Sequence, residues 1–232
     1  MTETRRERQR AATITEIKQI ARRHMAEKGA AALSLRAIAR EMGLSSPALY
    51  RYFASRDDLV KALIVDAFNS FADTLQAAHD RCLQDDHAAR LSAVAHAYRS
   101  WALAAPQEYA LIFGTPIPAY EAPPDLTGPV AARSMQVLLG VLDDTQRSGK
   151  ANLSDIHATF SPALQRQIQP WTEKLHYSGD PALLYLAISG WALIHGLVSL
   201  EIFGHLDPNM VKVTSGALYK AEVATWVKRL KL

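Results

Sequence analysis

Leu33–Leu59, LSLRAIAREMGLSSPALYRYFASRDDL, reads as two short helices joined by a tight turn, with a third helix queued behind them. Ser34 is an N-cap candidate, and Leu35, Ile38, Ala39 and Met42 follow it at helical spacing. Gly43 can take the left-handed conformation that ends a helix, so the first helix stops near Met42. After the turn Gly43-Leu44-Ser45, Ser46 is expected to cap a second helix. Pro47 would then stand in the first turn, where a missing N–H is no loss. The apolar anchors Leu49 and Phe53 are one turn apart. At roughly 100° per residue, Arg51 then points about 200° away from Leu49, outward, with Tyr50 and Tyr52 beside it. Ser55-Arg56-Asp57-Asp58 has the form of a capping box opening a helix from Asp57 to about His79, with its acidic groups at the positive end. A helix pair with one buried face and an arginine on the other suits a DNA groove.

The run LSSPALYRYFASRDDL resembles the helix-turn-helix signature of the tetracycline-repressor-like (TetR) family of transcriptional regulators. There, a small-residue turn precedes a helix ending in Leu-Tyr-x-x-Phe and a Ser-Lys/Arg-acidic-acidic-Leu cap. Gly29, Ile38, Ala39, Gly43, Ser45, Leu49, Tyr50, Phe53, Arg56 and Leu59 carry the resemblance. It implies that Ser34 and Arg56 meet phosphates and that the phenols of Tyr50 and Tyr52 lie against the DNA backbone. Ser46, Pro47 and Ala48 would touch the groove floor, with Pro47 and Ala48 offering apolar contact to thymine methyls. Arg51, on the outermost face, is the candidate for guanine edges. Pro47 replaces the glycine often found at its position.

Charge agrees with this assignment. Residues 1–60 hold 12 Lys/Arg against 7 Asp/Glu, whereas the remainder holds 14 against 16, so the basic surplus is confined to the segment carrying the motif. With 232 residues, 49% of them hydrophobic, the chain can bury a substantial core in one or two domains. No run of about 18 apolar residues stands out, and the Arg-rich start lacks the apolar core of a secretory signal. A cytoplasmic protein with no membrane partner is expected. One cysteine, Cys82, excludes an internal disulfide and a cysteine-rich zinc site. There is no glycine-rich phosphate loop, no Gly-x-Ser-x-Gly elbow and no His-Glu-x-x-His pair, so neither an enzyme, a cofactor nor a metal site is expected. The competing reading is an all-helical enzyme or small-molecule carrier with no DNA role.

Beyond the motif nearly every segment shows helical spacing, and an all-α fold is predicted. Ile14, Ile17, Ala21, His24 and Met25 mark one face of a first helix ending at Gly29, after a flexible basic start at Arg5, Arg6, Arg8 and Arg10. Leu59, Leu63, Ala67, Phe68 and Phe71 give the helix from Asp57 its buried side. Helices follow at His87 to Ala105 and Pro106 to Phe113. The segment from Gly114 to Pro129, with Pro116, Pro118, Pro123 and Pro124 inside it, reads as an irregular loop, and the next helix runs from Pro129 to Arg147. Residues 150–179 are hard to read: Ser161-Pro162 suggests a start, and Pro170 should kink or end that helix. Asp180-Pro181 opens a strongly apolar helix to about Phe203, and Gly216 to Leu230 closes the chain.

Trp191-x-x-x-His195-Gly196, followed by Leu200-Glu201-x-x-Gly204, resembles the Trp-His-Gly signature of one branch of TetR-like ligand-binding domains, where a long apolar helix helps to pair two subunits. The expected architecture is therefore an N-terminal three-helix helix-turn-helix DNA-binding domain with a basic arm (1–56), joined to a larger helical-bundle ligand-binding and dimerisation domain (57–232). Tyr98, Trp101, Tyr109, Phe113, Trp171 and His195 are the candidates for ligand contact between helices. Ordinary core packing explains the same residues. The resemblance implies a homodimer on a palindromic double-stranded DNA operator, acting as a repressor released by a small-molecule effector.

Overall fold

The computed structural model describes residues 4–114, 117, 120, 123–150, 153–206 and 216–230. Pro116 and Pro118 of the proline-rich segment lie outside them. The described residues form eleven α-helices and one short 3-10 turn, with no strand. Backbone contacts divide the chain into two units, residues 1–67 with 105–127 and residues 68–104 with 128–232.

In the first unit, α1 spans Arg5–Lys28. It begins earlier than expected, so the basic start is helical and not flexible. Thr4 and Glu7 form a reciprocal capping box, in which Thr4 Oγ1 accepts from Glu7 N (3.3 Å) and Thr4 N donates to Glu7 Oε2 (2.7 Å). The Thr-x-x-Glu spacing was the signal for this start. Ile17, Ile20, Ala21 and Met25 face the core, and Gly29, at φ 77°, ends the helix in a conformation that favours glycine. A 3-10 turn at Ala30–Ala32 leads into α2 (Leu35–Glu41), α3 (Ser46–Tyr50) and the first part of α4 (Arg56–Asp80). Helix α6 (Pro106–Phe113) packs on α1. Arg22 of α1 joins both neighbours, reaching Asp66 of α4 (3.0 Å) and Glu108 of α6 (2.6 Å), while Lys18 also bonds Asp66 at 2.9 Å.

The second unit takes the rest of α4 together with α5 (His87–Ala104), most of α7 (Pro124–Arg147), α8 (Ser154–Thr159), α9 (Pro162–Leu175), α10 (Pro181–Ile202) and α11 (Ala217–Arg229). Leu91 of α5, Val141 and Leu142 of α7, Leu183, Leu184 and Ala187 of α10 and Trp226 of α11 build its core. Gly190 lets α11 in: a Cβ there would sit 2.3 Å from the Trp226 ring.

Three expectations about these helices are corrected. First, α7 starts at Pro124, not Pro129. Thr127 donates both its N–H and its Oγ1 to Pro123 O (3.0 Å each), which starts the helix one turn early. The carbonyl that Pro129 leaves unbonded belongs to exposed Asp125, where water can serve it. Second, Pro170 does not end α9. Pro170 is exposed, and the stripe Leu164, Ile168, Trp171 and Leu175 holds the helix to the core on its other side. Third, α10 is an apolar run long enough to cross a membrane by length and composition, with a mean hydropathy of 1.8. Gly, Ser, Trp and His interrupt it to the eye, but Leu183, Leu184, Ala187, Ile194 and Val198 put much of its apolar surface into the core.

Candidate nucleic-acid interface

The reading pair is assembled by caps at both starts. Ser34 has extended backbone, and its Oγ accepts from Ala37 N at 3.4 Å, which opens α2. Gly43 turns the chain at φ 66°. The cap of α3 is Ser45 and not Ser46: Ser45 is extended and its Oγ accepts from Ala48 N at 3.4 Å, so Ser46 and Pro47 are the first two helical residues. Pro47 still falls among the first-turn N–H positions that lack helical partners. Helix α3 is also shorter than expected. It ends at Tyr50, with Arg51 as its C-cap, and the turn carries on through Tyr52 N and Phe53 N, which both donate to Leu49 O (2.9 and 3.3 Å).

Burial sorts this segment into two faces. Leu35, Ile38, Ala39, Leu49 and Phe53 are buried, whereas Pro47, Tyr50 and Arg51 are exposed, and Ser46, Ala48 and Tyr52 are half-buried. The outward set is thus continuous across α3, and no side chain in it is acidic. Arg10 of α1 joins this face, which sequence reasoning missed. Its Nη1 donates to Arg51 O (3.4 Å), and its guanidinium stands 5.2 Å above the Tyr52 ring. Arg56 is placed differently. Its Nε donates to Leu33 O and its Nη2 to Ala30 O and Ala31 O, all at 3.2 Å, with Nη1 3.6 Å from Asp57. The guanidinium therefore holds the backbone immediately before the Ser34 cap. Behind it, Ser55 Oγ donates to Asp58 Oδ2 (2.9 Å) and accepts from Asp58 N (3.0 Å). The Ser55 hydroxyl holds the Asp58 carboxyl below its ordinary value, with Lys61 adding to the effect.

Of the six residues expected at a ligand site, four fall on one continuous chain of contacts in the second unit. Trp171 meets Trp191 (ring centroids 6.0 Å apart), Trp191 meets His195 (5.2 Å), and Tyr98 Oη lies 2.9 Å from His195 Nδ1. Tyr98 packs edge-on against Phe71, and Phe71 meets Trp101, each at 4.8 Å. Trp101 Nε1 donates to Ser70 Oγ at 3.1 Å. Burial pulls the His195 imidazole below its ordinary value, which favours the neutral ring. Tyr109 and Phe113 belong to the first unit, where their rings pack on each other at 5.2 Å.

Two partly buried ionic clusters in the second unit were not anticipated. Arg99 grips Glu201 through Nε and Nη2 (2.7 and 2.6 Å) under the Tyr219 ring. Arg90, 3% exposed, donates to Asp144 Oδ2 (2.7 Å), to Gln84 O (3.0 Å) and to His79. The signal for the second was an arginine on the stripe Arg90, Val94, Tyr98, Trp101 of an otherwise apolar helix face.

Residues 17–63 match the family model for bacterial regulatory proteins of the tetR family, and residues 91–225 match the model for the tetracyclin repressor-like C-terminal domain. The chain is 37% identical to the HTH-type transcriptional regulator Rv1816 of Mycobacterium tuberculosis and to Mb1846 of Mycobacterium bovis, over 89% of this chain and 87% of each relative. Among solved structures, SCO4313 superposes with a TM-score of 0.77 at 38% identity, covering 97% of this chain and 98% of that one. The TetR family regulator PfmR of Thermus thermophilus shares the fold, with a TM-score of 0.53 at 16% identity over 79% and 84% of the two chains. The enzyme or carrier alternative yields to these relatives: the chain belongs to the TetR family and is a DNA-binding transcriptional regulator.

Proposed function

We propose that the protein is a homodimer that reads a palindromic duplex through α3 and represses until a small molecule bound in its C-terminal domain releases it. Residues 1–56 act as the reader and 57–232 as the sensor and pairing surface. The observation that carries this reading is the two-faced α3: Leu49 is sealed in the core while Pro47, Tyr50 and Arg51 stand outward. In this role Arg51 reaches guanine edges, Ser46, Pro47 and Ala48 touch the groove floor, with Pro47 and Ala48 against thymine methyls, and Tyr50 and Tyr52 line the backbone contact. Ser34 serves twice, since its Oγ accepts from Ala37 N while its proton can go to a phosphate. Arg56 supports the interface through the backbone it holds ahead of that cap.

Pairing uses the outward faces of α10 and α11. Leu200, Phe203 and Leu218 are large apolar residues left exposed, and a Cβ at Gly196 would meet nothing within 4 Å, which is room for another helix. Two readers paired this way address half-sites about 34–36 Å apart, one turn of the duplex. An effector among Tyr98, Trp101, Trp171 and His195 weakens operator binding by the factor with which DNA weakens effector binding. Helix α4, whose residues belong to both units, is one of the covalent routes between them. Such a reader works in the cytoplasm, beside the chromosome. Selection of duplexes from a random-sequence library tests the reading, with an inverted repeat as the expected result. Arg51→Ala should then cost about 1 to 3 kcal/mol in operator affinity and flatten preference at one position per half-site. Retained preference at every position would remove Arg51 from base reading.

A further inference from the structure

Most of the basic residues of α1 fall into two groups along its length. In the second half, Lys18, Arg22, Arg23 and His24 are each paired with a carboxylate of the same unit: Asp66, Glu108 or Glu41. In the first half, Arg5, Arg6, Gln9 and Arg10 instead line an open groove of about 540 Å³ together with Leu44 of the turn and Ala48, Arg51 and Tyr52 of the reading segment. None of those eight lining residues is acidic. The arrangement is electrostatically unfavourable for the protein alone. Arg6 and Arg10 are one helical turn apart with like charge, and Arg5 and Arg6 stand at the positive end of a helix dipole, where Glu7 is the one acidic residue of the first turn. Four guanidinium groups around one groove ask for a polyanion, and the groove shares Ala48, Arg51 and Tyr52 with the DNA-reading face.

We infer that the first turns of α1 are a second DNA-contacting element, which grips the sugar–phosphate backbone of one strand beside the half-site read by α3. Arg10 anchors the element, because its bond to Arg51 O and its place over Tyr52 tie α1 to the end of α3. Arg5 and Arg6 extend the grip outward, and Gln9 adds a neutral donor. These groups meet phosphates and carry no base preference, so they lengthen the footprint and steepen the salt dependence without changing the sequence read. The inference rests on the DNA-reading assignment proposed above.

The test uses the full-length protein and a mixed-sequence duplex of about 30 bp, long enough for two half-sites and their flanks. Binding is measured across a salt series for the unaltered chain, for Arg5→Gln/Arg6→Gln and for Arg5→Lys/Arg6→Lys. Glutamine keeps helix propensity while removing charge. The glutamine variant should lower the magnitude of the log–log salt slope by about 0.9 for each phosphate it no longer neutralises, and the lysine variant should restore most of it. Base preference in a selection experiment should be the same for all three. A glutamine variant with the unaltered slope overturns the inference, as does one that changes base preference. Failure of the unaltered chain to bind any duplex would instead sink the DNA-reading assignment itself, so the two failures are distinguishable.

Discussion

Arg51 and Arg56 carry the same charge five residues apart, yet their surroundings assign them different tasks. Arg51 is exposed, so truncating its side chain should leave folding stability within about 0.5 kcal/mol while damaging base reading. Arg56 satisfies three carbonyls of the segment that sets α2 in place. Arg56→Ala should lower the unfolding free energy by about 1.5 to 3 kcal/mol, the range for hydrogen bonds to a charged group. Arg56→Lys should recover little, because a point-like ammonium cannot reproduce the planar fork. Denaturant titration of the four proteins checks both statements, and an Arg56→Ala midpoint equal to the unaltered one would refute the assignment. The outward direction of Arg51 was legible from its offset to Leu49. The fate of Arg56 was not, because its partners are backbone carbonyls at Ala30, Ala31 and Leu33, and carbonyls leave no mark on the choice of residue.

At the scale of elements, legibility followed the chemistry of helix ends. Where a capping side chain and an apolar stripe coincided, as at Ser34 with Leu35 and Ile38 or Asp180 with Leu183 and Leu184, the helix was readable to within a residue or two. Proline is a poor boundary signal here, at Pro129, which was expected to start a helix, and at Pro170, which was expected to kink or end one: both are exposed positions inside helices that tolerate one lost bond. The aromatic chain from Trp171 to Trp101 could not be assembled from spacing, since it joins α9, α10, α5 and α4 across long stretches of sequence. Two glycines of α10, six residues apart, separate folding from pairing. Gly190→Ala drives a methyl into the Trp226 ring and should destabilise the protomer by about 1 to 3 kcal/mol. Gly196→Leu places its Cβ where, outside its own helical turn, no described residue stands within 4 Å, so it should leave protomer secondary structure intact and shift the monomer–dimer balance. Circular dichroism and sedimentation on the two variants make the comparison. Unfolding of Gly196→Leu with no change in Gly190→Ala would reverse both roles.

Across the whole molecule, the depressed histidines gather in one unit, which mild acid should destabilise. His87, His96 and His195 all lie in the unit formed by residues 68–104 and 128–232. Each is held below the ordinary histidine value of 6.5, and burial is the first cause in every case. Lys150 and Arg90 add to the effect at His87, opposed by Asp144 and Asp85, and Lys220 and Arg99 add to it at His96. A histidine depressed in the folded state contributes its full stability only above its unfolded value. As pH falls below 6.5 the unfolded chain takes up protons that the folded chain refuses, and stability drops until the folded values are passed. The carboxylates of Asp58 and Asp144 are held below 3.8, so their contributions are lost only at much lower pH and do not confuse this window. All four tryptophans, Trp101, Trp171, Trp191 and Trp226, lie in the same unit as the three histidines, so intrinsic tryptophan fluorescence reports that unit alone. The denaturant midpoint read by fluorescence should fall between about pH 7.5 and pH 5.5, with the slope set by the protons the unfolded chain gains. Replacing His195 with Gln should flatten that fall in part, since Gln can still reach Tyr98 but cannot take up a proton. A midpoint that holds steady across the window would mean that the folded chain takes up protons as readily as the unfolded one, and would overturn the assignment of the three histidines as neutral in the folded state.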